Sequence, residues 1–219
     1  MGERREGEGE VDGGKGVQRG HRQFLAGREN KMIDRQLSEA AIKTKTGQMA
    51  RFRETLPSFK LRKEVLATIS SNQVLVVSGE TGCGKTTQVP QFILEEAVAK
   101  GQGSKVSIVC TQPRRVAAIS VAERVAHERG ERVGEVVGYQ VRMDHKLPRE
   151  EGSIIYCTTG ILLQRMQNDR TLKQFTHVIL DEIHERDIMA DIILVIIKEI
   201  LPARPDLKVV LMSTTLNAT

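Results

Sequence analysis

A chain of 219 residues is long for one domain of about 100–200 residues and short for two. Its hydrophobic fraction of 39% supports a packed core, while its longest apolar run, Ile192 to Ile197, falls far short of the ~20 residues a membrane-spanning helix needs. The net charge of +5 is compatible with nucleic acid without identifying it, and the mixed Glu3, Arg4, Arg5, Glu6, Glu8 and Glu10 among glycines exclude a secretory or transit signal, so an intracellular protein of nucleus or cytoplasm, with no membrane partner, is expected.

Residues 1–30 carry few apolar positions and are expected to form a disordered Gly-rich charged tail. Residues 31–58 read as a polar helical extension, with Ile33, Leu37, Ala40 and Ala41 on one side, ended by Leu56-Pro57-Ser58. Residues 59–219 read as the compact domain, opening on a helix from Phe59 to Ser70. From Val74 onward short β-branched runs recur at Val74–Ser78, Val106–Cys110, Ile154–Cys157, Val178–Leu180 and Val209–Met212, with Val136–Val141 as a further candidate. Helical stretches separate most of them, at Lys85–Ala99, Arg114–Arg129, Gly160–Gln167 and Asp187–Leu201. Strands without polar alternation, alternating with helices, predict an α/β fold whose parallel sheet is covered on both faces. Cys83, Cys110 and Cys157 match no metal or disulfide spacing and read as reduced thiols.

The first strand runs into Gly79-Glu80-Thr81-Gly82-Cys83-Gly84-Lys85-Thr86, which fits G-x-x-x-x-G-K-[ST] and is followed directly by a helix. That strand–loop–helix context is what makes the pattern specific for a phosphate-binding loop. Glycines let successive backbone N–H groups face an anion at the positive end of the helix. Lys85 adds a point charge between the β- and γ-phosphates, and Thr86 offers its hydroxyl to Mg²⁺. The fourth main strand ends in Asp181-Glu182-Ile183-His184. Two adjacent carboxylates repel unless a cation or proton offsets them, and a magnesium–nucleotide complex would supply that offset. Asp181 then holds Mg²⁺, with Thr86 and Glu182 beside it, and Glu182 orients the attacking water. ATP and Mg²⁺ are the implied ligands.

Arg114 and Arg115 follow Pro113 at the start of a helix, where cations oppose the macrodipole. A nucleic-acid phosphate is a fitting partner for them, as it is for the hydroxyls of Thr158 and Thr159 at a strand end. With 3% aromatics, tracking of a backbone is favoured over stacking on bases.

Taken together, GETGCGKTT, TQPRR, TTGILL, DEIHER and LMSTTLNA resemble, in order and spacing, motifs I, Ia, Ib, II and III of the DEAH/RHA helicases. The chain looks most similar to the branch of RNA helicase A and the guanine-quadruplex-resolving enzymes. The resemblance implies the first RecA-like domain of an ATP-dependent RNA helicase, a P-loop NTPase. It implies catalytic roles for Lys85, Asp181, Glu182 and His184, and nucleotide binding by Gly79, Glu80, Thr81, Gly82, Cys83, Gly84, Lys85, Thr86 and Thr87. Arg124 corresponds to the arginine that packs on the base, and His184 would couple the nucleotide site to Ser213 and Thr215. It further implies RNA as partner, structured RNA and guanine quadruplexes included. A second RecA-like domain, in cis or in trans, would complete the enzyme; alone, a weakly catalytic nucleotide- or RNA-binding fragment is the alternative. Motif III departs from the family's Ser-Ala-Thr, reading Ser213-Thr214-Thr215.

Overall fold

The computed structural model describes residues 13–46 and 48–214. Among the described residues, seven strands form one sheet: β1 (Val74–Ser78), β2 (Ser107–Gln112), β3 (Val137–Val141), β4 (Asp144–Lys146), β5 (Ser153–Thr158), β6 (His177–Leu180) and β7 (Lys208–Ser213). Their spatial order is β1-β7-β6-β2-β5-β3-β4. All neighbours are parallel except β3 and β4, a short antiparallel hairpin whose first strand matches the candidate at Val136–Val141 and whose second the sequence pattern did not reveal. The β4 residues Asp144, His145 and Lys146 are polar and exposed, so no apolar run marks them.

The strand composition explains the layering. β2, β5 and β6 sit inside the sheet and are buried along most of their length. β1 is an edge strand, and alternate residues Val74 and Val76 reach solvent. Helices α5 (Lys85–Ala99) and α6 (Arg115–Arg129) cover one face through Val89, Ile93, Ala118, Ala122 and Val125. Helices α7 (Thr159–Asn168) and α8 (Ile188–Ile200) cover the other through Leu162, Met166, Ile193 and Ile197. Two separate cores on opposite faces are what a parallel sheet needs, since neither face of a buried strand can meet water.

Among the described residues, four helices precede the sheet: α1 (Gly13–Thr46), α2 (Gln48–Thr55), α3 (Pro57–Lys60) and α4 (Arg62–Ser71). Helix α1 therefore begins inside the stretch expected to be a disordered tail, while residues 1–12 of that stretch lie outside the described residues. Its anchor is Leu37, fully buried against Gly103 and Gly152, where a Cβ would come within 2.7 and 2.8 Å of the Leu37 methyl. Asp34 accepts the Ser104 N–H (2.7 Å), and Thr44 donates to the Arg129 carbonyl (3.1 Å). Helix growth from a fixed segment avoids the nucleation cost that an isolated polar helix bears.

Because β1, β2, β5, β6 and β7 run parallel, their C-terminal ends lie along one edge of the sheet. The glycine loop, Pro113 and Asp181 follow those ends, and Thr158 and Ser213 close β5 and β7 there. Ligand sites in open α/β sheets form along that edge.

Candidate functional site

The glycine loop turns on Gly82 (φ +80°) and Gly84 (φ +94°). Gly84 is required twice over: its φ is left-handed, and a Cβ there would stand 2.8 Å from Ser58 Oγ and 3.0 Å from a Leu56 methyl. Lys85 opens α5 and is buried, its Nζ donating to the carbonyls of Gly79 (2.5 Å) and Glu80 (3.0 Å), with Cys83 Sγ at 3.5 Å. The ammonium thus bridges the two arms of the loop, inside the concavity whose N–H groups suit an anion.

Asp181 comes to this loop from β6. Thr86 Oγ1 donates to Asp181 Oδ2 at 2.5 Å, although the two are 95 positions apart in sequence. Gln112 Nε2 donates to the same oxygen (2.7 Å), and the backbone N–H of Glu182 to Oδ1 (2.9 Å). Three donors fix the orientation of a nearly fully buried carboxylate. Glu182 adopts φ +55°, a left-handed conformation that is uncommon outside glycine. The turn leaves Asp181 packed under the loop and Glu182 lining the cleft with Lys85, Thr86, Thr87, Arg124 and Thr214. Burial holds the Glu182 carboxyl above the ordinary carboxylate range, and the neighbouring Asp181 charge adds to this. His184 and Lys85 pull against it. The cleft holds about 320 Å³.

His184 reaches both the acidic pair and the end of β7. Its Nδ1 lies 3.4 Å from Glu182 Oε2, and its Nε2 lies 3.0 Å from Thr214 Oγ1. Of the residues expected to couple to it, Ser213 is buried, with its carbonyl accepting the Gly79 N–H (3.2 Å), and Thr215 lies outside the described residues. The residue that departs from the family pattern, Thr214, supplies the hydroxyl that reaches His184. A histidine after β6 beside a hydroxyl after the adjacent β7 is a tertiary pairing with no spacing rule to signal it.

Arg124 lies on α6 with its Nε donating to Glu128 Oε1 (2.7 Å), and its guanidinium sits 4.9 Å from the centroid of the Phe52 ring. Glu128 is a buried hub: its Oε2 accepts from Gln88 (2.8 Å) and Gln91 (2.9 Å) of α5. Arg53 donates to Gln88 Oε1 (2.7 Å) and pairs with Glu95 (2.7 Å). Gln112, Glu128, Phe52 and Arg53 were not singled out from sequence. Gln112 sat within TQPRR, and Glu128 follows Arg124 by four, so those two had local signals.

The residues expected at nucleic acid divide. Arg114 precedes α6 as its N-cap, is exposed, and pairs loosely with Glu185 at 3.5 Å; Arg115 is exposed at the first position of α6. Thr158 is partly exposed. Thr159 is buried, and its hydroxyl donates to Asp187 Oδ2 (2.6 Å), the carboxylate that also caps α8. That side chain ties α7 to α8 instead of facing outward. All three cysteines are free thiols; burial pushes Cys157 up to about 12 and Cys110 well up.

Comparison with known proteins fits this geometry. The DEAD/DEAH box helicase family matches residues 59–219. The chain is 56% identical over 192 residues to the ATP-dependent DNA/RNA helicase DHX36 of Bos taurus, covering 85% of this chain and 19% of that protein. It is 53% identical over 192 residues to the protein of the same name from Homo sapiens, with the same coverage. The DExH-box ATP-dependent RNA helicase DExH3 of Arabidopsis thaliana is 56% identical over 171 residues, covering 78% of this chain and 14% of that protein. The chain thus spans about a fifth of these relatives' length, or less.

Proposed function

Because the chain belongs to the DEAD/DEAH box helicase family, we propose that it is the ATP-binding part of an intracellular RNA helicase, hydrolysing ATP to move along RNA once a second RecA-like domain faces its cleft. The observation that carries this reading is the convergence of the glycine loop and the acidic pair: Thr86 Oγ1 meets Asp181 Oδ2 at 2.5 Å, with Lys85 and Glu182 lining the same hollow.

The donor set suits a magnesium ion. Mg²⁺ binds through one or two protein oxygens and keeps most of its waters, and the Thr86 hydroxyl and Asp181 carboxylate are two oxygens already in contact. When bound, the ion would neutralise charge on the phosphate oxygens. The chain's own groups account for the remainder. Lys85 and the loop N–H groups receive the β- and γ-phosphates. Glu182, its carboxyl held above the usual range, orients a water and takes its proton as the water oxygen attacks the γ-phosphorus and the β–γ bond breaks. Arg124 offers a flat guanidinium to the base. Arg114 and Arg115, exposed at the same sheet edge, meet RNA phosphates. The branch resemblance extends the proposal to structured RNA and guanine quadruplexes.

Lys85→Ala is expected to weaken Mg-ATP binding by about a hundredfold, the scale of losing a charge-assisted phosphate contact, measured by calorimetry. Turnover by the chain alone is expected to be slow, since an arginine from a facing domain contributes roughly 10³–10⁵ in rate. Adding a fragment with the second domain should restore RNA-stimulated hydrolysis. A chain that binds Mg-ATP through Lys85 yet never turns over with that fragment is a nucleotide-binding module and not a helicase part.

A further inference from the structure

The nucleotide cleft is lined by residues that precede the family-matched region at 59–219. Phe52 and Leu56 line it from α2 and the turn after it, together with Thr87, Arg124 and Glu128. Three contacts fasten this segment to the site. The Ser58 N–H donates to the Cys83 carbonyl in the phosphate loop (3.1 Å). The Leu56 methyl and Ser58 Oγ occupy the space that a Cβ on Gly84 would need. Arg53, almost wholly buried, is held by Gln88 and Glu95 of α5. Next to this fixed neighbour, the Phe52 ring lies against the Arg124 guanidinium at 4.9 Å.

We propose that Phe52 is a base-positioning residue, backing the Arg124 guanidinium on one face so that the other face is presented flat to the nucleobase. The assignment rests on the ATP-binding reading of this cleft and deepens it. Arg124 has two restraints at right angles in function. Glu128 takes its Nε edge at 2.7 Å and sets the rotation of the side chain, and Phe52 covers a face and sets the plane. An arginine side chain that is 43% exposed otherwise samples many rotamers, and stacking a base on it would require ordering it first. Phe52 itself is 44% exposed, an exposure unexplained by the core, since its outer ring borders the cleft. A packing role alone would leave the phosphate and base parts of the ligand equally affected by its loss; a base-positioning role separates them.

That separation is the test. Mg-ATP and Mg-tripolyphosphate, which shares the phosphates and lacks base and sugar, are titrated calorimetrically into wild type, Phe52→Ala, Phe52→Tyr and Arg124→Ala, with thermal melts to monitor folding. Loss of a partly exposed cation–π contact corresponds to about a threefold to thirtyfold effect. Phe52→Ala and Arg124→Ala are therefore expected to weaken Mg-ATP by about that factor and to leave Mg-tripolyphosphate within about twofold. Phe52→Tyr, which keeps the ring, should bind both as wild type does. Equal weakening of both ligands by Phe52→Ala, no change in either, or tighter Mg-ATP binding (the ring then obstructing the base) overturns the assignment while leaving the ATP-binding reading intact. Wild type that binds neither ligand overturns both.

Discussion

At the scale of single residues, the substitution within motif III has a physical account. Where the family pattern has alanine, Thr214 adds a hydroxyl 3.0 Å from His184 Nε2, while the other ring nitrogen faces Glu182. The imidazole is thereby held at both ends between the candidate water-orienting carboxylate and the end of β7. Thr214→Ala is expected to shift both ring ¹⁵N resonances of His184 and to cost about 0.5–1.5 kcal/mol of stability, the net worth of one hydrogen bond. Thr214→Ser should preserve the resonances, and Mg-ATP affinity should stay within about twofold in both, because neither change touches the phosphate contacts. Unchanged resonances in Thr214→Ala would show that the contact does not orient the ring.

At the scale of elements, α5 contains a proline whose cost is met from outside the helix. Pro90 is the sixth residue of α5 and has no N–H, so the carbonyl of Thr86, four residues earlier, has no helical donor. The Tyr156 hydroxyl of β5 donates to that carbonyl at 3.1 Å. Tyr156 is fully buried, and burial pushes its phenol well above the ordinary range, which keeps it a protonated donor. One bond thus joins the sheet to the helix that carries Lys85 and Thr86. Tyr156→Phe is expected to destabilise the fold by about 1–3 kcal/mol by leaving a buried carbonyl unpaired. Adding Pro90→Ala, which returns an N–H at position 90, should recover part of that loss. Urea unfolding of the two single variants and the double variant measures the coupling directly.

For the molecule as a whole, the sheet also sets an acid limit on stability. His177 begins β6, and burial, with the Lys208 charge on adjacent β7, pushes it down to about 4. In the unfolded chain a histidine titrates near 6.5. Between those values the unfolded state binds a proton that the folded state does not, so stability present above pH 6.5 is lost as pH falls toward 4. The expected contribution is on the order of 1–2 kcal/mol, set below the full pKa difference because the ring retains some exposure. Denaturant unfolding from pH 7 to pH 4.5 should show a shallower decline for His177→Gln than for wild type; equal slopes would place the acid sensitivity elsewhere.

Much of the site was legible in the residues alone, because the phosphate loop and the acidic pair are local. A glycine that must turn with positive φ, a lysine one position later, and a carboxylate doublet ending an apolar strand each owe their identity to chemistry within a few residues. The alternation of apolar runs likewise fixed the α/β class, since burial of a strand on both faces dictates its composition wherever it lies. What only the tertiary structure decided are pairings between residues far apart in the chain. Strand order set β7 between β1 and β6 and so brought Thr214 to His184; helix docking brought Phe52 to Arg124 and Tyr156 to the carbonyl left by Pro90. The inward turn of Thr159 onto Asp187 belongs to the same class. A hydrogen bond or a ring stack constrains only the two groups that meet. Neither leaves a period or a run behind in the sequence, and the partner is known only once the sheet has placed it.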